Sequence, residues 1–80
     1  MTYVYILRSV NNPDQLYTGW TIDLRSRLKA HNSGKSPHAI KLWPWTIAFY
    51  AAFASKEQAI QFERYLKSGS GAAFRTRRLL

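Results

Sequence analysis

The sequence predicts an α+β domain, a three-stranded antiparallel sheet flanked by helices in the order β-β-α-β-α-α. Three observations predict it. Two β-rich runs near the N-terminus are joined by a cluster of turn formers. Two later stretches carry helical capping signals ahead of apolar residues at helical spacing. Between them, Trp45-Thr-Ile-Ala-Phe-Tyr-Ala-Ala-Phe-Ala54 is aromatic and β-branched enough for a third strand.

The elements follow in order. Residues 3–9, Tyr-Val-Tyr-Ile-Leu-Arg-Ser, put Tyr3, Tyr5 and Leu7 on one face and Val4, Ile6 and Arg8 on the other. Asn11-Asn12-Pro13-Asp14 then turns the chain, and Leu16–Trp20 resumes as a strand, so the pair forms a hairpin with Tyr5 and Tyr17 on neighbouring strands. Thr21 or Asp23 can cap a first helix over Asp23–Asn32, which Asn32-Ser33-Gly34 ends. Lys35 to Pro44 shows no sustained period and reads as a loop. Ser55-Lys56-Glu57-Gln58 has the form of a capping box, so a second helix runs from Lys56 to Leu66 or Lys67. Ser68-Gly69-Ser70-Gly71 breaks it, and Ser70 can cap a short basic helix from Ala72 to Leu80. No repeat, low-complexity tract or linker interrupts the chain, so a single domain over residues 1–80 is expected.

Charge is the strongest global signal. Twelve Lys and Arg stand against Asp14, Asp23, Glu57 and Glu63, a formal net charge of +8, and a polyanion is the favoured partner. The chain has no cysteine, which removes disulfides, thiolate zinc sites and cysteine nucleophiles together. With only four carboxylates, a chemistry using one metal ion is more economical than a two-metal site. The N-terminal segment lacks the order of a signal peptide and no apolar run approaches the ~20 residues of a membrane span, so a cytoplasmic protein with no membrane partner is expected.

Two charged residues fall where apolar ones belong. In the first helix Leu24, Arg27, Leu28 and His31 lie at i, i+3, i+4 and i+7, and in the second Glu63 shares the stripe of Ala59, Ile60 and Leu66. Each has a structural reading: a snorkelling arginine, a histidine at a helix C-terminus, a glutamate paired inward, tyrosines half-buried in strands.

The ordered set is more specific. Tyr3-Val4-Tyr5, then Tyr17-Thr18-Gly19 leading into Asp23-Leu-Arg-Ser-Arg-Leu28, the His31-Asn-Ser-Gly-Lys35 exit, and a Ser55-Lys-Glu-Gln-Ala59 helix reaching Glu63-Arg-Tyr-Leu-Lys67 together resemble the GIY-YIG nuclease family. The resemblance covers nearly the whole chain. It is closest to the small stand-alone members, which are similar to the N-terminal incision domain of the excision-repair nuclease UvrC. It implies hydrolysis of DNA phosphodiesters with one divalent metal, Mg²⁺ or Mn²⁺, and a connection to DNA repair. By position it implies Tyr5 and Tyr17 as the two motif tyrosines, Arg27 as the helix arginine and Glu63 as the metal ligand, with His31 as an auxiliary base or phosphate contact.

Each residue type suits its task. A planar guanidinium holds the charge that phosphoryl transfer spreads over oxygens, and a hard Mg²⁺ wants an oxygen ligand. A tyrosine near a cation can move toward phenolate and accept a proton, a role for which Tyr5 is favoured, with Tyr17 as the assisting hydroxyl. Arg25, Lys29, Lys35, Lys41, Arg64, Lys67, Arg75, Arg77 and Arg78 are the expected contacts to nucleic-acid backbone, DNA or RNA, and Trp43 or Trp45 could stack a base. With no recognition helix or zinc module, cleavage should be structure-selective or of low sequence specificity. No obligate protein partner is evident. Tyr3 stands where the family has glycine, Thr18 where it has isoleucine, and Trp20 where the repair branch has a lysine. The last departure supports a rival reading, a nucleic-acid-binding module of the same fold with weak or absent cleavage.

Overall fold

The structure is a computed structural model, and it describes residues 1–33 and 42–80. It is α+β, as expected. Strands β1 (Thr2–Ser9), β2 (Leu16–Thr21) and β3 (Trp45–Phe53) form one antiparallel sheet in the order β2-β1-β3. Helix α1 (Leu24–Asn32) follows β2; α2 (Lys56–Lys67) and α3 (Gly69–Phe74) follow β3, and Arg75–Leu79 continues α3 as a π-helical turn.

The alternation read in the first strand separates two cores. Val4 and Ile6 face one side with Ala59 and Leu66 of α2, joined by Trp20, Phe49, Phe62 and Phe74. Tyr5 and Leu7 face the other with Trp45, joined by Leu24 and Leu28 of α1. The central strand therefore buries both faces: Val4, Ile6 and Leu7 are fully buried, each worth about 1.5–3 kcal/mol by burial alone.

Local chemistry sets the ends. Asp23 accepts from the Ser26 amide at 3.0 Å and caps α1, while Thr21 shapes the entry by accepting from the Asp23 amide at 3.1 Å. Ser55 caps α2 by accepting from Gln58 N at 3.3 Å. The third helix corrects the sequence reading, because its cap is Ser68, not Ser70, and it begins at Gly69, not Ala72. Ser68 Oγ donates to the Tyr65 carbonyl at 2.6 Å and accepts from Gly71 N at 3.1 Å, closing one helix and opening the next. Gly71 is buried against that corner, and a Cβ there would overlap the Tyr65 carbonyl. Gly71, part of the run that read as a breaker, is thus what lets two helices meet at a tight corner.

Candidate active site

The two motif tyrosines come from adjacent strands. In the β1–β2 register Tyr5 lies opposite Gly19 and Leu7 opposite Tyr17, so the tyrosines are diagonal neighbours on one face. Their rings stack with centroids 6.4 Å apart and planes at 19°. Gly19 makes this possible. A Cβ at that position would stand 2.6 Å from the Tyr5 hydroxyl and 2.9 Å from its Cζ, so the phenol lies across the glycine. Gly19→Ala is therefore expected to force a buried ring out of place, at about 1–3 kcal/mol of stability in urea unfolding. The loss should shrink in a Tyr5→Phe background, where the nearest clashing atom is gone.

Helix α1 supplies the next group. His31, in its last turn, sets its ring 4.5 Å from that of Tyr17, 6.4 Å from Tyr5 and 6.3 Å from Trp45. Asn32, which the sequence marked only as a helix stop, fixes this end of the helix to β3. It donates to the Trp45 carbonyl at 3.1 Å and accepts the Trp45 amide at 2.7 Å. Trp45 is itself buried, which makes it core and removes it as a base-stacking platform; Trp43 is exposed.

Arg27 is exposed on α1, at the open border of the Leu24–Leu28 stripe, and its charge reaches both His31 and Tyr5. Glu63 arrives from the opposite layer. It is buried on α2, its Oε2 accepts from Lys67 Nζ at 2.6 Å, and its charge is felt at the Tyr5 hydroxyl. Four elements thus supply the five expected residues: Tyr5, Tyr17 and His31 are joined by ring contacts, and the charges of Arg27 and Glu63 reach Tyr5.

The electrostatics sort the acid–base groups. Burial first, then Tyr17 and Glu63, push the Tyr5 hydroxyl up to about 12 against the pull of Arg27, so it keeps its proton at neutral pH. His31 moves the other way. Burial and the Arg27 charge lower its pKa below the usual 6.5, so it is neutral and able to accept a proton at pH 7. Two consequences are measurable by NMR titration of the imidazole: a midpoint below 6.5, and a rise toward that value in Arg27→Met. Since the folded pKa is depressed, the stability contributed by the neutral ring is fully present above about 6.5 and is lost as pH falls through the lower, folded value.

Among the described residues no group of three or more His, Cys, Asp or Glu side chains converges as a ready-made metal cage. A lone, partly shielded carboxylate such as Glu63 suits Mg²⁺, which keeps several waters and takes one or two carboxylates plus substrate phosphate. The donor chemistry therefore fits that ion.

The remaining basic residues divide. Arg25, Lys29, Arg64, Arg77 and Arg78 are exposed, and Lys67 is engaged with Glu63. Arg75 is half-buried and turned back onto β2, where Nη1 donates to Thr18 Oγ1 at 3.4 Å. Lys35 and Lys41, with most of the loop read between Lys35 and Pro44, lie outside the described residues. Trp20 points to the α2 side, away from Tyr17, with the Lys56 ammonium 5.2 Å from its ring centroid. This contact joins residues far apart in sequence, and no local pattern announces it.

Comparison with known proteins identifies the family. The model of the GIY-YIG catalytic domain matches residues 1–77. The chain belongs to the GIY-YIG family. The GIY-YIG match takes in both strands of the motif, α1, and Glu63 on α2, and the family is one of nucleases, whose substrates are nucleic acids. Among similar proteins, a UPF0213 protein of Clostridium perfringens (strain 13 / Type A) is 38% identical over 68 residues, covering 84% of this chain and 71% of its own. A UPF0213 protein of Streptococcus pyogenes serotype M3 is 39% identical over 66 residues, covering 81% of this chain and 70% of its own. Among the described residues, no helix of this GIY-YIG chain is long and apolar enough to cross a membrane.

Proposed function

We propose that this GIY-YIG domain is a metal-dependent endonuclease that hydrolyses DNA phosphodiester bonds, structure-selective or of low sequence specificity. The observation that supports it best is the meeting of Tyr5, Tyr17 and His31 in one aromatic cluster on which the charges of Arg27 and Glu63 both act.

In this reading Glu63 would hold the divalent ion, which when bound supplies Lewis-acid polarisation of the phosphoryl group. The chain's own residues do the rest. Arg27, exposed and always charged, grips the non-bridging oxygens as negative charge builds on them. Tyr17, at the solvent edge of the cluster, orients the attacking water, whose oxygen bonds to phosphorus as the P–O bond to the leaving strand breaks; neutral His31 beside it takes the water's proton, and solvent protonates the leaving oxygen. Tyr5 keeps its own proton and donates a hydrogen bond into the site. Burial holds that proton in the absence of the ion, and the expected Tyr5 base would need the charge of a cation on Glu63 to release it. The exposed arginines and lysines hold the strand through its phosphates.

The test is incubation of pure protein with single-stranded, duplex, flap and branched DNA, with Mg²⁺, Mn²⁺ or chelator. Cleavage only with metal supports the reading. Tight, salt-sensitive binding without cleavage in any metal would contradict it and leave a binding module, which Trp20 at the lysine position favours.

A further inference from the structure

One departure from the family motif remains without a role. Thr18 replaces isoleucine, and its hydroxyl accepts from Arg75 across 57 positions of sequence. The Arg75 Nε is buried and, among the described residues, without a hydrogen-bond partner. An anion on the outer nitrogens would compensate the charge of this half-buried guanidinium, though it would not reach the orphaned Nε itself. The space beside it suits one. A cleft of ≈ 310 Å³ is lined by Arg75, Lys67, Thr18 and Tyr17, with Leu16 and Leu66 as apolar walls. Its charged lining is Arg75 and Lys67, the latter paired with Glu63 at 2.6 Å, and Tyr17 joins it to the candidate active site.

We propose that Thr18, Arg75 and Lys67 frame a subsite for a phosphate of the nucleic-acid strand, flanking the phosphate that is cut. This rests on the nuclease reading and adds to it a fixed point for the strand on the β2 side of Tyr17. Arg75 is the anion-binding group, and the planar fork suits a phosphate where a point charge would not. Thr18 is a positioning residue that aims the fork. Thr18 in place of isoleucine and a half-buried Arg75 are then two halves of one device.

The test is binding of labelled single-stranded and duplex oligonucleotides across a salt series, in chelator so that nothing is cut. Wild type, Arg75→Met, Arg75→Lys and Thr18→Val are compared after circular dichroism confirms that each is folded. Arg75→Met should weaken binding at least fivefold and reduce the salt slope by about one phosphate, ~0.9 on duplex and ~0.7 on single strand. Arg75→Lys should fail to restore either, since it returns the charge without the fork. Thr18→Val, close to isosteric, should weaken binding about threefold in wild type and add nothing in Arg75→Met. It carries the test if the Arg75 variants do not fold. Binding unchanged in Arg75→Met, or fully restored by Arg75→Lys, would overturn the subsite. The chelator separates the two readings: Arg75-dependent binding with no cleavage in metal keeps the subsite and removes the nuclease, and cleavage with Arg75-independent binding does the reverse.

Discussion

Glu63→Gln is expected to lower cleavage at least a thousandfold while the protein stays folded. Among the described residues Glu63 is the one carboxylate whose charge is felt at the Tyr5 hydroxyl, and the amide keeps its shape while losing the charge a hard cation needs. Loss of several kcal/mol of transition-state stabilisation corresponds to about three decades in rate. Stability should barely change. The pair that is lost, Glu63 with Lys67 one helical turn away, leaves a lysine that is 55% exposed and stays hydrated, and such i,i+4 pairs contribute only about 0.3–0.5 kcal/mol. Single-turnover cleavage with saturating Mg²⁺, beside a thermal melt of each protein, reads both effects. A Glu63→Gln protein that cuts at the wild-type rate would remove the glutamate from the site.

Arg27→Met should cost at least about a hundredfold in kcat with a smaller change in substrate affinity. The side chain is exposed, so its removal should leave Tm nearly unchanged. What is lost is a positive charge placed to act on the cluster. The same substitution lifts one of the two causes that hold the His31 pKa down, so the midpoint of His31 should move up even though activity falls. The two readouts together separate a phosphate-gripping arginine from a merely structural one. An Arg27→Met enzyme with unchanged kcat would exclude the first role, whatever happens to the imidazole.

Much of this was legible in the residue order, for identifiable reasons. The strands were readable because β1 is an aromatic and β-branched run, and burial of both its faces follows from Val4 and Ile6 opposing Tyr5 and Leu7. The first two helices were readable because Asp23 and Ser55 are caps of the ordinary kind. Gly69-Ser70-Gly71 misled because glycine usually signals a break, whereas Gly71 is small so that α3 can pack on the Tyr65 carbonyl. In the site, residue types and spacing pointed to Tyr5, Tyr17, Arg27, His31 and Glu63, but their environments depend on packing. Spacing cannot show that the Tyr5 phenol lies buried across Gly19, or that Arg27 sits at the open edge of its stripe. Nor can it show that Asn32 ties the helix end beside His31 to Trp45, or that Arg75 reaches back to Thr18. These are long-range contacts with no local periodicity behind them.

The most direct measurement is nicking of one supercoiled plasmid and one branched DNA by wild type and Glu63→Gln purified side by side, with Mg²⁺ and with chelator. A metal-dependent nuclease using this site predicts cleavage by the wild type in Mg²⁺ alone, with none above background from Glu63→Gln. Equal cleavage by the two proteins, or none by folded wild type in any divalent metal, would contradict it.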